Sequence, residues 1–235
     1  MSTNAQDTSA WRDLRPRLMS AAVLVAVAGT CIGLGGLAYN ALILGMMGGM
    51  AVEAAALFGL SIKSWRGVLY MLWAICAGLS AATGHWAYFI VFCLSSLVFG
   101  APLCAIMCVI ILAGTALLWL RQASFWPVLF VIAVVVASDS SAYVAGRIFG
   151  GPKLAPRISP GKTRSGAVGG LVGAVATGGI VATLSGLGGM GSALVWGGIL
   201  GISAQAGDLA ESAMKRALGV KDSGKLLPGH GGLLD

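Results

Sequence analysis

Residues 125–186 read FWPVLFVIAVVVASDSSAYVAGRIFGGPKLAPRISPGKTRSGAVGGLVGAVATGGIVATLSG. Two apolar runs, about 125–146 and 166–186, flank a short basic loop. Each run is close to the ~20 residues a helix needs to cross the hydrocarbon core of a bilayer. The same pattern fills the chain, which is 57% hydrophobic and only 10% charged, with a mean hydropathy of +0.90. A soluble domain is excluded by that composition. The spacing predicts an all-α, polytopic integral membrane protein with eight transmembrane helices. They fall at about 18–38, 41–60, 66–83, 85–100, 102–120, 125–146, 166–186 and 190–207, the fourth being short. Continued apolar segments, with no small-residue cleavage site, make the first a membrane helix rather than a signal peptide.

Charge fixes the expected topology. With the N-terminus inside and eight spans, fourteen of the fifteen Lys and Arg residues lie on the cytoplasmic side, and Arg121 alone lies outside. One span more or fewer would split the basic 147–164 loop from the basic C-terminus or move both outside. The expected organisation is a cytoplasmic N-terminal tail at 1–17, a helical bundle at 18–207 with a cytoplasmic loop at 147–165, and a cytoplasmic segment at 208–235. Both termini are then cytoplasmic.

The last segment, GDLAESAMKRALGVKDSGKLLPGHGGLLD (207–235), holds four of the eight acidic residues and four of the fifteen basic ones. Asp208, Glu211 and Lys215 recur at i, i+3, i+7 and share a helix face, with Ser212 beside them and Arg216 at its edge. Gly219 is a helix stop, and the Gly- and Pro-rich remainder is a loop returning Asp222, His230 and Asp235 toward the helix. Carboxylates beside cations and glycines suit a site for a divalent metal and phosphate. The same composition also suits an amphipathic tail held on lipid headgroups.

Two acids lie at membrane depth. Glu53 falls within the second span and carries no assigned chemistry. Asp139, Tyr143 and Arg147 are four apart and form one polar stripe, which either lines a site or merely orients helices. Gly161-Lys162-Thr163 suggests a phosphate loop, but that motif requires glycine where this chain has Pro156. Lys162 then reads as a point charge for phosphate, with Ser159 and Thr163 supplying hydroxyls. Cys31, Cys76, Cys93, Cys104 and Cys108 all sit in apolar runs without metal-ligand spacing, and read as buried apolar residues. Small residues at 166, 170, 174 and 178, with the pairs Gly169/Gly173 and Gly197/Gly201, predict close helix packing, for which a homodimer interface is one allowed place.

The order Ser212, Lys215-Arg216, Lys221-Asp222, Pro228-Gly229-His230-Gly231 and Asp235 resembles the C-terminal signature of the phosphatidate cytidylyltransferases, or CDP-diacylglycerol synthases. Asp139, Ala142, Tyr143, Gly146 and Arg147 match that family's Asp-x-x-Ala-Tyr segment, and Ser159 to Thr163 match its Ser-Pro-Gly-Lys-Thr motif. The resemblance runs from about Asp139 to Asp235, and the first half matches in general character only.

It implies transfer of the cytidylyl group of CTP to phosphatidate, giving CDP-diacylglycerol and pyrophosphate at the cytoplasmic face of a bacterial inner membrane. Asp208, Asp222, Lys215 and Arg216 would be catalytic. Asp208, Asp222 and Asp235 would hold Mg²⁺ or another divalent cation, with room for a second ion. Asp139, Tyr143, Ser159, Lys162, Thr163, Ser212, Lys221 and His230 would bind substrate. CTP, phosphatidate and membrane lipids are the expected partners, a homodimer is allowed, and no nucleic acid is expected.

The family pattern continues past its final Asp with a basic residue and another Asp, so a chain ending at Asp235 is expected to be a fragment or to carry an incomplete site. The alternatives are a related CTP-dependent lipid kinase, another lipid cytidylyltransferase, or a catalytically incomplete relative acting as a scaffold. A transporter would place its ionisable residues near the midplane, often on broken repeated helices, rather than at one face.

Overall fold

The computed structural model describes residues 4–186, 188–224, 226 and 231–235, with residues 4–18 by backbone alone. Among the described residues there are eight α-helices: α1 (Asn4–Leu34), α2 (Gly36–Leu57), α3 (Trp65–Ala82), α4 (Trp86–Ser95), α5 (Ala101–Ala123), α6 (Phe125–Phe149), α7 (Arg164–Ser185) and α8 (Met190–Ala217). Each overlaps one of the eight expected segments. Five, α2, α3, α5, α6 and α7, are long and apolar enough to cross a membrane, and Met19–Leu34 and Trp86–Phe99 are shorter apolar stretches. The protein is therefore an all-α membrane protein, with one small addition. The expected loop at 147–165 contains a two-stranded antiparallel hairpin, β1 (Lys153–Ala155) and β2 (Ser159–Thr163).

Two further boundaries differ from expectation. Helix α1 starts at Asn4 and takes in most of the polar N-terminal tail. Helix α8 carries on without a break from the apolar 190–207 run into the charged segment and ends at Ala217, beside Gly219 at φ +71°. The expected stop at Gly219 holds because an αL backbone there suits a residue without Cβ.

The chain divides into two compact units, 1–125 with 222–235, and 126–221. In the first unit, α1 and α2 are separated by Gly35, and both Gly35 and Gly36, the first residue of α2, are at positive φ. Arg121, near the end of α5, donates from Nε to the Ile32 carbonyl at 2.9 Å and from Nη2 to Gly33 at 3.3 Å, satisfying the open end of α1. Gln122 bonds the Ala82 carbonyl at the end of α3 (3.2 Å), while Tyr70 near the start of α3 donates to Leu103 near the start of α5 (2.7 Å). Helices α3 and α5 thus run the same way. Helix α4 and a 3₁₀ turn (Ser96–Phe99) bring the chain back between them, and Arg66 reaches the Val98 carbonyl there at 3.5 Å. Tyr39, Met47, Met107, Ile110, Ile111 and Leu118 fill the interior. Trp73 meets Phe92 and Phe99 edge to face. The cysteines depart from the fully buried reading: Cys76 is exposed and the other four are half-buried.

In the second unit, α6, α7 and α8 pack through small residues. A Cβ built on Gly170 would lie 2.9 Å from the Ser138 carbonyl of α6, one on Gly178 2.8 Å from Ala193 of α8, and one on Gly197 2.8 Å from Ala174 of α7. Helix backbones touch at these points, which supplies dispersion contact where lipid removes any hydrophobic drive between helices. The glycine ridge of α7 is used within the chain, so a homodimer would need another face.

Gly197→Leu should therefore destabilise the unit by about 1–3 kcal/mol, seen in detergent as a melting temperature lower by roughly 2–12 °C. Gly198→Ala, whose Cβ would meet only Val175 at 3.5 Å, should melt like the parent. Equal melting of the leucine variant would contradict the packing described.

Candidate active site

At the end of α6 that leads into the hairpin, the second unit encloses a cavity of about 600 Å³. This is within the range of small-molecule sites. Helix α6 contributes Asp139, Tyr143 and Arg147, the hairpin contributes Lys153, Lys162 and Thr163, and α8 contributes Gln205 and Asp208. Four-residue spacing puts the α6 residues on one stripe, as the sequence indicates, and Arg147 Nη1 donates to the Tyr143 hydroxyl at 3.0 Å. Three cations and two carboxylates thus line one concave surface.

The hairpin exists because its ends are tied down. Lys153 pairs with Thr163 and Ala155 with Ser159. Thr163 is also the N-cap of α7, its Oγ1 accepting from Gly166 N at 3.1 Å, and Ser165 Oγ donates to the Gly150 carbonyl. Gly146 and Gly166 line the cavity where α6 meets α7. A Cβ on Gly166 would lie 2.8 Å from the Ala142 carbonyl, and one on Gly146 2.8 Å from Thr163 Oγ1. These contacts hold Lys162 over α8, where its Nζ forms an ion pair with Asp208 Oδ2. Lys162 is 27% exposed and Asp208 51%, so the pair is open to solvent and to a ligand. Asp139 is within Coulombic range of both.

The other expected site residues are placed as follows. Ser159 lies in β2 and Ser212 is half-buried on α8, and neither lines the cavity. Lys215 pairs with Glu211 at 2.7 Å. Arg216 is exposed, reaching the Ile158 carbonyl at 3.5 Å and Val220 at 3.4 Å, and so links α8 to the hairpin turn. Lys221, the last residue of the second unit, is exposed. Asp222 and Asp235 belong to the first unit, where both are exposed at the surface. The Asp235 carboxylate accepts from Ser223 N at 2.9 and 3.0 Å and from Gly232 N at 2.7 Å. His230 lies outside the described residues.

Sequence reasoning missed Lys153 and also Gln205, which precedes Asp208 by three positions on the same face of α8. That i, i+3 relation is the signal that would have found Gln205. Its Nε2 donates to the Ala167 carbonyl at 3.1 Å, bracing α8 against α7.

The profile of the cytidylyltransferase family matches residues 15–235. The chain belongs to that family. Phosphatidate cytidylyltransferase of Brucella abortus is 55% identical over 111 residues, which is 47% of this chain and 41% of the relative. The Haemophilus influenzae protein of the same name is 46% identical over 112 residues, covering 46% and 39% of the two chains. That of Helicobacter pylori is 44% identical over 108 residues, covering 46% and 40%. The matched stretch is thus less than half the length of these curated relatives.

Among the described residues, no three His, Cys, Asp or Glu side chains are grouped so as to hold a metal ion by themselves. Mg²⁺ does not need such a cage. It commonly takes one or two carboxylates and completes its shell with water and substrate phosphate. Asp139 and Asp208 fit that requirement, both being exposed to one cavity whose other charged groups are cations.

Proposed function

We propose that the chain catalyses transfer of the cytidylyl group of CTP to phosphatidate, giving CDP-diacylglycerol and pyrophosphate. The observation that carries the reading is the cavity itself. It collects Asp139, Lys162 and Asp208 from three separate segments, at one end of apolar helices. A nucleotide could meet a lipid phosphate there.

The attacking oxygen belongs to a phosphate that is already an anion, so it needs little base catalysis. The barrier is the approach of one anion to another. Lys162, Lys153 and Arg147 would offset that repulsion and hold the pyrophosphate as it leaves. Asp139 and Asp208 would hold Mg²⁺ or another divalent cation, which supplies Lewis-acid polarisation and charge neutralisation at the phosphates. Lys162 would exchange part of its bond to Asp208 for a phosphate oxygen. Thr163 is better read as the cap that sets the height of Lys162 than as a ligand. Asp222, Asp235, Lys215, Arg216, Ser159, Ser212, Lys221 and His230 remain proposals of the sequence motifs, as do a second ion and a homodimer.

The same proposal includes eight crossings in a bacterial inner membrane, with both termini and the cavity on the cytoplasmic side. Contacts inside the first unit support the count. The chain leaves that unit at its Arg121 end and re-enters it beside Glu53, near the opposite end of α2. On that reading residues 126–221 would cross an odd number of times, and α6, α7 and α8 would make three. The α4 stretch, about 23 Å long, is short for a ~30 Å core, so local bilayer thinning or flanking residues would cover the difference.

In liposomes carrying phosphatidate, the purified protein should convert CTP to CDP-diacylglycerol and pyrophosphate in equal amounts, and only with a divalent cation. Asp208→Asn should lower turnover by more than about 100-fold while leaving the protein folded, since several kcal/mol of charge stabilisation are lost. Formation of CDP and a phosphorylated lipid would instead mark a kinase. Near-parental activity of Asp208→Asn, or full activity in excess chelator, would contradict the site. For the topology, a cysteine replacing Ser159, with the native cysteines removed, should react with an impermeant maleimide only after cells are permeabilised. Labelling in intact cells would overturn the orientation.

A further inference from the structure

Glu53 is an acid in an apolar helix that the site in the second unit does not use. It lies four residues, or about 6 Å, before the end of α2 and is only 3% exposed. A carboxylate so placed is costly unless its oxygens are hydrogen-bonded. The bonds it receives come from the far end of the chain. Glu53 Oε2 accepts from Leu233 N at 2.6 Å, from Leu234 N at 2.9 Å and from the Ser223 hydroxyl at 3.4 Å.

The surroundings are shaped to that carboxylate. A Cβ on Gly224 would stand 2.7 Å from Glu53 Cδ, and one on Gly232 2.8 Å from the same atom. Any larger residue at either position would push the carboxylate out of its seat. One turn earlier on the same face of α2, a Cβ on Gly49 would meet the Leu233 side chain at 2.8 Å. Gly49 and Glu53 thus form a seat for Leu233, one apolar and one charged contact. The segment then closes on itself through Asp235, which accepts from Ser223 N and Gly232 N. Two carboxylates, one from α2 and one from the segment, fix the backbone on both sides of residues 224–231.

We infer that Glu53 is a positioning residue whose buried carboxylate anchors the C-terminal signature segment to α2, fixing where Asp222 and Asp235 are presented. The anchor itself stands on the contacts above, and its effect on turnover rests on the activity proposed here. The two shortest of these bonds come from backbone amides, with the Ser223 hydroxyl as the third donor. Glutamine can replace the acceptor: its carbonyl oxygen takes the position of Oε2, and its amide takes that of Oε1, which has no hydrogen-bond partner among the described residues. Methionine keeps the length of the side chain but accepts no such bond, and it suits an apolar helix.

Hydrogen exchange on the full chain tests this, using Glu53→Met and Glu53→Gln. In the parent, the amides of Ser223, Gly232, Leu233 and Leu234 should be protected. In Glu53→Met they should exchange at least about tenfold faster while α2, α3 and α5 keep their protection, and Glu53→Gln should restore most of it. Turnover should follow the same order, with kcat reduced at least about tenfold in the methionine variant and the KM for CTP little changed. Unchanged exchange in Glu53→Met would overturn the anchor, as would equal loss in both variants or a loss spread across the helices. If the parent transfers no cytidylyl group, the proposed activity fails while the exchange pattern still decides the anchor.

Discussion

The ion pair between Lys162 and Asp208 is the contact on which the chemistry proposed for the second unit depends. It joins a hairpin of two short strands to a helix 46 positions later in sequence, and it brings both groups to a cavity that Asp139 also lines. Half-exposed ion pairs contribute little to stability. This one is better understood as stored complementarity. In the function proposed here, the acid would hold the base in place until a phosphate arrives, and the base would lower the cost of keeping two carboxylates near each other. The hairpin can present Lys162 because Thr163 is committed to capping α7 and Ser165 to the Gly150 carbonyl.

Glycine makes the arrangement possible. With few charges and no hydrophobic drive between helices in lipid, α6, α7 and α8 approach until carbonyls lie against Cα atoms, at Gly166, Gly170, Gly178 and Gly197. Where α6 meets α7 at Gly146 and Gly166, the absent side chains leave the cavity open. In the first unit, glycine serves a different end. Gly224 and Gly232 leave room for the Glu53 carboxylate, so a charge inside an apolar helix becomes the attachment point for a polar segment.

Much of the fold was legible because apolar length is a strong signal. The runs at 125–146 and 166–186 became α6 and α7, and Gly219 ended α8 where an αL residue was needed. The stripe of Asp139, Tyr143 and Arg147 was legible from helical spacing alone. The hairpin was not, since strands containing Pro160 and Gly161 have little propensity of their own and form because both ends are pinned to helices. Thr163 was assigned a ligand role although its place just before the α7 run is an N-cap signal. The juxtaposition of Lys162 with Asp208 was accessible only through family resemblance, because no local pattern links β2 to α8. Glu53 stayed without a role for the same reason: two of its three donors are backbone amides about 180 positions away, and amides leave no trace in side-chain identity.

The central claim is that the β2 lysine and the α8 aspartate face each other across one cavity. Replacing Lys162 and Asp208 together by cysteine, after removing the five native cysteines, tests it in the membrane without reference to turnover. The account predicts that the two cysteines are bridged efficiently by a short bismaleimide, whereas either single cysteine variant gives no such link. Failure of the two cysteines to link, in a protein that remains inserted and folded, would contradict it.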